Sequence, residues 1–388
     1  MRERILIVGA SIAGLTAAYW LARHGFEPVV IEKASGPRSG GNGVDLRGEA
    51  VAVADAMGIL HAVQRSAADV LGMKFIDGGG RTIARVRTAD AGDVEVMRGD
   101  LVALLAELAP GVRFGDSPVG IEQDSSGVRV RFESGSVDRF ALVIGADGLH
   151  STVRRLVFGG EAEFLRFRDH YFAFGDADAS LGEDRWVTMY NVPGKMAGIY
   201  RSGHHAQAKS YFTFRSSLST SEHGDARLTV EGKRRMLAEA FSDVTGWRTP
   251  ELLASVLAGD GLYFDALAQV RMPSWARGRV VLVGDAAWCA SPAAGAGAEL
   301  AIVGAYRLAN SVAAADDDWS AALARYESDL RTRVRRKQRI GANVRLMVPA
   351  TRFGIAARNA FARSGLPAVL SGFGAGPTKP PTLPALEC

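Results

Sequence analysis

The chain has 388 residues, which is enough for two or three hydrophobic cores, and two joined domains are the expected arrangement. Hydrophobic residues make up 47% and charged residues 23%, as in soluble globular proteins, and the net charge of +4 is too small to indicate nucleic-acid binding. The two cysteines, Cys289 and Cys388, exclude a disulfide framework, no metal-ligand spacing is present, and a reducing cytoplasm is the expected location.

The N-terminal residues have the strand–turn–helix–strand pattern of a dinucleotide-binding unit. An apolar strand at 5–8 leads into Gly9, Ser11 and Gly14, and a second apolar strand ends in Glu32. Gly9 permits a tight turn, Gly14 lets the helix pack closely on the strand, and the helix N-terminus attracts phosphates. Glu32 is placed to accept hydrogen bonds from ribose hydroxyls, although Ser11 replaces the usual second glycine and an ordinary βαβ unit is the alternative. The residues predicted to contact the nucleotide are Gly9, Ser11, Ile12, Ala13, Gly14, Glu32 and Lys33.

The elements that follow alternate between loops, strands and helices. In chain order we predict a polar glycine-rich loop at 34–43, a helix at 48–60, strands within 70–97, a helix opening at Arg98, a period-two strand at 128–132, and an apolar strand at 141–145 that ends in Asp147 and Gly148.

Residues 164–215 differ from the segments before them because short aromatic strands dominate. Period two puts Phe172 and Phe174 on one face of their strand, and Phe212 and Phe214 on one face of theirs. We predict an antiparallel sheet of a second, inserted domain, with one face packing a core. Beyond it we predict helices at 230–242 and 250–258, an apolar strand at 279–283 that ends in Gly284 and Asp285, a small-residue helix at 293–309, and a basic helical region at 319–363.

Three separated apolar strands thus end in turns with small or acidic residues, at 9–14, 145–148 and 284–285. In a parallel sheet such ends lie along one edge, where ligands bind. This set resembles the flavoprotein aromatic monooxygenases of the para-hydroxybenzoate hydroxylase type, over residues 3–365. The segment at 43–48 is similar to the tetracycline-inactivating and polyketide-tailoring branch.

The resemblance implies an α/β fold with a Rossmann-like FAD-binding domain, an inserted antiparallel-sheet substrate domain and a C-terminal helical segment. The implied limits are 1–70, 98–160 and 270–318 for the FAD-binding domain, 71–97 and 161–269 for the substrate domain, 319–365 for the helical segment and 366–388 for a flexible tail. Beyond the first turn, the implied FAD contacts are Asp45, Arg47, Arg98, Asp147, Gly148, Gly284, Asp285, Pro292, Gly295, Gly297 and Ala298.

The segment after the third turn is expected to run beside the flavin ring. A helix starting near 295–298 would aim its positive N-terminus at the ring and stabilise negative charge on reduced flavin. A small-residue helix that only packs on a sheet is the alternative. The sequence departs from the family at Trp288, Ala296 and Glu299. Because a buried carboxylate is costly unless it is paired, we expect Glu299 to face a basic partner.

The implied reaction is hydroxylation of a bulky aromatic or polyketide-like small molecule with NADPH or NADH and O2, through a flavin C4a-hydroperoxide. No protein nucleophile is required, and the candidates for catalytic roles are Arg47, Pro292 and Gly295. Arg38, Arg47 and Arg154 are each candidates for the nicotinamide phosphates or for solvated surface charges. The candidate substrate contacts are Phe172, Phe174, Tyr190, Tyr211 and Phe214. The alternative functions are a flavin-dependent dehydrogenase or reductase, and a flavin redox sensor without turnover.

Other features receive plainer interpretations. The basic run at 331–339 could indicate nucleic acid or a membrane, but on a helix its charges spread around the circumference, which favours a solvated face or pairing with Asp316 to Asp318. No apolar run is long enough to span a bilayer, and a monomer or homodimer is expected. A redox role for Cys289 is less expected than a small buried filler.

Overall fold

The computed structural model of the chain is built on two large sheets and describes residues 3–37, 41–87, 92–203, 208–216, 229–315, 318–340 and 344–364. In chain order the strands are β1 (Arg4–Val8), β2 (Glu27–Glu32), β3 (Gly43–Leu46), β4 (Gly72–Ile76), β5 (Thr82–Arg87), β6 (Val94–Met97), β7 (Val112–Phe114), β8 (Pro118–Asp124), β9 (Gly127–Phe132), β10 (Val137–Phe140), β11 (Leu142–Gly145), β12 (Leu165–Ala177), β13 (Trp186–Val192), β14 (Lys195–Tyr200), β15 (Ala208–Arg215), β16 (Tyr263–Val270), β17 (Ala276–Arg277) and β18 (Val280–Leu282).

The helices connect these strands and cover their faces. They are α1 (Ile12–Arg23), α2 (Glu49–Ala56), α3 (Leu60–Arg65), α4 (Arg98–Leu108), α5 (Thr152–Val157), α6 (Glu161–Phe164), α7 (Val230–Phe241), α8 (Thr249–Ala258), α9 (Asp285–Trp288), α10 (Gly297–Ala313), α11 (Trp319–Ile340), α12 (Val344–Met347) and α13 (Arg352–Arg363), with 3-10 turns at Ala179–Leu181 and Pro292–Ala294.

The first sheet has six strands in the order β17-β18-β11-β1-β2-β7. All neighbours are parallel except β17 and β18. The side chains of Ile5, Leu6 and Ile7 on β1 are fully buried, as expected for a strand covered on both faces. Strand order reverses at β1, between β2 and β11, and this is where such sheets bind ligands. The predicted Rossmann-like α/β fold is confirmed.

The second sheet has seven strands in the order β16-β12-β15-β14-β13-β4-β5. Its neighbours are antiparallel except β13 and β4, so the hairpin of β4 and β5 joins strands from much later in the chain. Helices α7 and α8 cover one face, where Phe212 and Phe241 pack with ring centroids 5.0 Å apart. The inserted antiparallel sheet is therefore present, while the domain limits remain predictions.

Two helix predictions were wrong in their bounds. The helix expected at 48–60 is interrupted between α2 and α3, because Gly58 adopts a positive φ of 75° that ends the first helix. The helix expected at 293–309 begins only at Gly297, since Gly295 has a φ of 56° after a short 3-10 turn. The helix start predicted near 295–298 is confirmed.

The C-terminal helices bind both sheets. In α11, the amide of Gln338 donates to the carbonyl oxygen of Val270 at 2.8 Å. The basic run pairs with Glu327, Glu49 and Glu299, and not with Asp318 as the pairing hypothesis expected.

Asp316, Asp317, Arg38 and the tail at 366–388 lie outside the described residues. Among the helices that are described, none is both long enough and apolar enough to cross a membrane.

Candidate cofactor and substrate site

The turn after β1 is fixed by close backbone contacts. Gly9 has a φ of 107°, and a Cβ there would lie 2.5 Å from the carbonyl oxygen of Ala146. A Cβ on Gly14 would lie 1.9 Å from the carbonyl oxygen of Gly9. Larger residues cannot occupy either position without moving the backbone, so α1 is held close to the end of β1 and to the turn after β11.

The N-terminus of α1 is left without a side-chain cap. Ser11 is the N-cap residue, but its side chain does not cap the helix, and its Oγ instead accepts a hydrogen bond from Arg98 at 2.8 Å. Uncapped first-turn N–H groups and the helix dipole favour a phosphate. Beside the turn, the carboxylate of Glu32 accepts the backbone N–H groups of Ala10 and Ala34, both at 3.0 Å, which holds it next to Gly9.

Three sequence-distant segments meet at this turn. Arg98 is the first residue of α4 and contacts Ser11. Burial raises the pKa of Asp285, and the positive charge of Arg98 opposes this shift. A Cβ on Gly284 would lie 2.9 Å from the Cβ of Ala13. The residues predicted from the first and third turns and from the start of α4 are therefore neighbours.

The turn after β11 has a different role for its acid. The carboxylate of Asp147 accepts hydrogen bonds from the hydroxyl of Ser151 and from the backbone N–H groups of Thr152 at 2.6 Å and Val153 at 3.1 Å. Asp147 thus caps α5. Gly148 has a φ of 80° and open space where a Cβ would lie. A direct contact between either residue and the cofactor stays a prediction.

Arg154 was a wrong candidate for the nicotinamide phosphates. Its side chain is fully buried, and its guanidinium donates to the carbonyl oxygens of Ala286 at 2.9 Å and Leu149 at 2.6 Å. It therefore ties the turn after β11 to α9 and does not offer its charge at the surface.

The segment expected beside the flavin has the required shape. Ser291 and Gly295 have positive φ values of 80° and 56°, which turn the chain on either side of Pro292. Helix α10 then begins at Gly297 without a side-chain cap, and no atom lies within 4 Å of a Cβ built on that glycine. Ala298 is buried in the first turn. The uncapped N-terminus and the open space at Gly297 fit a flat ring with negative charge, so the residues present fit FAD.

Ion pairs surround this segment. Arg47 contacts Asp45 at 2.9 Å and Asp93 at 3.3 Å, and burial raises the pKa of Asp45 although Arg47 opposes the shift. Lys337 of α11 lies 2.6 Å from Glu299, which confirms the basic partner expected for that carboxylate. A Cβ on Gly295 would lie 3.6 Å from Asp45. Arg47 is therefore near the expected ring position, but its charge is already shared by two carboxylates.

One face of the seven-stranded sheet carries a cluster of rings. Phe174 and Tyr263 stack with centroids 4.7 Å apart, and Phe172 and Tyr211 stack at 5.6 Å. Phe172 and Phe174 are 5.6 Å apart, so they share a face as period two predicted. We call Phe172, Phe174, Tyr211 and Tyr263 the aromatic face. Sequence reasoning missed Tyr263, although the alternation along β16 could have indicated it.

The other two candidate substrate residues lie on the opposite face. Phe214 packs at 5.5 Å from Tyr171 and 6.0 Å from Phe241, and Tyr190 meets Trp247 at 6.5 Å. These partners belong to the core under α7 and α8. Phe214 and Tyr190 therefore pack in the core and are not on the face predicted to contact the substrate. Their strands direct both side chains to the face that α7 and α8 cover.

The aromatic face adjoins the cofactor turns. Burial raises the pKa of Tyr263, and the nearby charges of Asp285 and Arg98 act on it in opposite directions. Tyr211 makes a hydrogen bond with the backbone of Gly43, at the start of β3. Tyr263 is nevertheless 41% exposed, and Asp285 is exposed as well. Both side chains are exposed where the cofactor turns and the aromatic face approach each other, and we call the space between them the groove.

A charged bridge links the two sheets at this groove. His150, after the β11 turn, lies 2.8 Å from Glu161 and 3.3 Å from Asp265 of β16. Burial alone would lower the pKa of His150, but the two carboxylates outweigh it and raise the pKa to about 9. The hydroxyl of Tyr263 reaches Asp265 at 3.5 Å. The bridge therefore supports one edge of the aromatic face.

Cys289 is buried and free, and burial raises the pKa of its thiol well above the usual value. A buried thiol of this kind is unreactive, so the description as a filler fits its surroundings better than a redox role.

Comparison with known proteins agrees with this geometry. A family model described as an FAD binding domain matches residues 2–339. A flavin-dependent monooxygenase of Legionella longbeachae is 34% identical over 345 residues, which cover 87% of this chain and 87% of that protein. The crystal structure of the tetracycline destructase Tet(51) matches with a TM-score of 0.82 and 31% identity, covering 95% of this chain and 98% of that one. Tet(55), also a tetracycline destructase, matches with a TM-score of 0.80 and 34% identity over 93% and 95% of the two chains.

These matches extend over both sheets and include every turn of the cofactor site. The family model alone covers more than half of the chain. The chain therefore belongs to the FAD-binding flavoprotein monooxygenases, the family that it resembles at its three turns.

Proposed function

We propose that this monooxygenase uses NADPH or NADH and O2 to hydroxylate a bulky, planar aromatic or polyketide-like molecule. The observation that carries the proposal is the aromatic face, whose Tyr263 lies within the electrostatic influence of Arg98 and Asp285. A ring stacked on that face would lie beside the groove in which the cofactor turns meet. Stacked aromatic pairs contribute about 0.5–1.5 kcal/mol each beyond burial, which is enough to orient a flat substrate.

The chain would hold the cofactor with the residues already described. The N-terminus of α1 binds the pyrophosphate and Glu32 binds the ribose hydroxyls. Asp285 accepts hydrogen bonds from hydroxyls nearer the flavin, and the N-terminus of α10 stabilises negative charge on the ring. Bound FAD supplies electron transfer from the nicotinamide and activation of O2. The protein supplies position, exclusion of water and charge stabilisation.

The substrate class follows from the shape and chemistry of the aromatic face. Its two phenylalanines and two tyrosines offer flat apolar area together with hydroxyl groups, which suits fused rings that carry oxygen substituents. Tet(51) and Tet(55) are tetracycline destructases, so tetracyclines belong among the compounds to test first. Phenols, quinolones and anthraquinones complete the panel, because each has a planar ring system.

The nicotinamide has no separate glycine-rich turn in the sequence, so it would approach the flavin from the same groove. Arg47 remains a candidate for its phosphates, since the guanidinium is partly exposed despite its two carboxylate partners. Arg154 is excluded by its burial.

The test is to load the purified protein with FAD and measure NADPH and NADH oxidation with each compound in the panel. A true substrate should accelerate oxidation and gain one oxygen atom from labelled O2. Accelerated oxidation with no labelled product would favour the reductase. FAD binding with no stimulated oxidation by any compound would favour the sensor. A product whose new oxygen comes from water would contradict the proposal.

A further inference from the structure

The C-terminal part of the chain concentrates positive charge. Residues 330–364 contain nine arginines and one lysine and no aspartate or glutamate. Since the whole chain carries only +4, the remaining residues are net negative. Such an asymmetry within one chain indicates a surface that meets an anionic partner.

Only part of this charge is neutralised within the described residues. Arg331, Arg333 and Lys337 pair with carboxylates on α11, α2 and α10. Arg358 is also engaged, because it donates to Asn191 at 2.8 Å and lies 4.0 Å from the ring centroid of Phe75. By contrast, three exposed arginines of α12 and α13 form no ion pair with any described carboxylate. These are Arg345, Arg352 and Arg363.

The same two helices expose large apolar side chains. Phe353 is 82% exposed, the highest value among the large apolar residues that the structure describes. Leu346 is 61% exposed and Phe361 is 46% exposed. The two helices are neighbours, because Arg358 of α13 donates to the carbonyl oxygen of Leu346 at 3.4 Å. We call Leu346, Phe353 and Phe361, with Arg345, Arg352 and Arg363, the C-terminal surface.

Helix α13 is held firmly while this surface stays uncovered. Its buried residues Asn359 and Ala362 face the sheet, where Ala362 packs with Phe75 and Met189. Phe353 therefore takes no part in the packing of α13 against the sheet. A helix that buries one side and presents phenylalanines flanked by arginines on the others has the composition of an interfacial helix.

We propose that the C-terminal surface docks the protein on an anionic lipid membrane, with α12 and α13 lying at the headgroup boundary. Charge complementarity selects this occupant. A second copy of the chain that met this surface through its own C-terminal surface would bring unpaired arginines against each other. Nucleic acid offers charge to the arginines but no apolar contact for the exposed side chains of Leu346 and Phe353. A bilayer offers anionic headgroups to the arginines and an apolar boundary to the side chains between them. The inference is independent of the proposed reaction.

The test is flotation of the full-length, FAD-loaded protein with vesicles of phosphatidylcholine alone or mixed with phosphatidylglycerol. We expect binding to the anionic vesicles only, weakened by salt. Phe353→Ser should weaken binding by about tenfold or more, because the variant lacks an apolar ring that would be buried in the membrane boundary. Arg352→Gln should weaken it by about fivefold, the effect of one charge near an anionic surface.

Matched controls make the result specific. Val137→Ser alters a 48%-exposed apolar residue on β10 of the FAD-binding region and should leave vesicle binding unchanged. Phe353→Trp should retain binding. Circular dichroism and thermal unfolding should be unchanged in all of these variants, because the altered side chains are exposed.

Three outcomes would overturn the inference. The first is no binding to anionic vesicles, and the second is equal weakening by Val137→Ser and Phe353→Ser. The third is a different occupant. A dimer in sedimentation equilibrium that Phe353→Ser abolishes would assign the surface to a second copy, and duplex DNA binding that survives Phe353→Ser would assign the arginines to nucleic acid.

Discussion

The turn after β1 and the aromatic face meet at one groove, yet they depend on the chain in different ways. In the turn, a Cβ on Gly14 would lie 1.9 Å from the carbonyl oxygen of Gly9, so the requirement comes from residues five positions apart. On the second sheet, Phe172 stacks on Tyr211 while Phe214 packs against Phe241. Phenylalanine side chains therefore have two roles on this sheet. Those on the face covered by helices α7 and α8 pack in the core, and those on the other face belong to the aromatic face. Backbone shape is a local property, whereas a side-chain role on a two-sided sheet is not.

Substitution of two phenylalanines on neighbouring strands should separate these roles most clearly. Phe214→Ala removes a core ring and should lower the free energy of unfolding by about 3–5 kcal/mol. Phe172→Ala should leave stability less affected and weaken substrate binding by about 0.5–1.5 kcal/mol per lost aromatic contact. Urea unfolding and substrate titration of both variants measure the two effects. Equal loss of substrate affinity in the two variants would show that the aromatic face is not the binding wall.

Asp285 tests the cofactor side of the comparison. Asp285→Asn should weaken FAD binding by about 1.5–3 kcal/mol, or about ten- to hundredfold, because a charge-assisted acceptor is lost. The protein should remain folded, since Asp285 is exposed to the groove. Fluorescence titration of the apoprotein with FAD gives the affinity, and Glu107→Gln, at the exposed end of α4, is the control. An unchanged FAD affinity would remove Asp285 from the site.

The smallest effect concerns the bridge between the two regions. Because Asp265 and Glu161 raise the pKa of His150 from 6.5 to about 9, its stabilising contribution is complete below about pH 6.5 and is lost as the pH rises through 9. The side chain is 33% exposed, so we expect only about 1 kcal/mol after solvent screening. Thermal unfolding of the wild type and of His150→Gln between neutral and alkaline pH should converge above that range. A constant difference at every pH would contradict the charged bridge.

The shape of the first predicted cofactor turn could be foreseen because its signals are local. Gly9 and Gly14 mark the turn after the first apolar strand and meet the close backbone contacts expected there, whereas the contact of Gly284 with Ala13 was not predicted. The pairing of Glu299 followed from the cost of burying a carboxylate, but its partner Lys337 lies on a helix far along the chain. Arg154 shows the limit. An arginine beside a nucleotide turn suggested phosphate binding, and only the packing of α5 against α9 revealed that it is buried.

The sequence by itself determined the βαβ unit, the order of the three turns and the two-faced aromatic strands, because strand period and glycine requirements act over a few residues. The family followed from the resemblance of those turns to known flavoproteins. Tertiary structure decided which face of the second sheet the helices cover. It placed Tyr263 beside the groove and Phe214 in the core, and it directed the carboxylate of Asp147 to the first N–H groups of α5. These outcomes depend on contacts between residues far apart in the chain, and no local pattern carries that information.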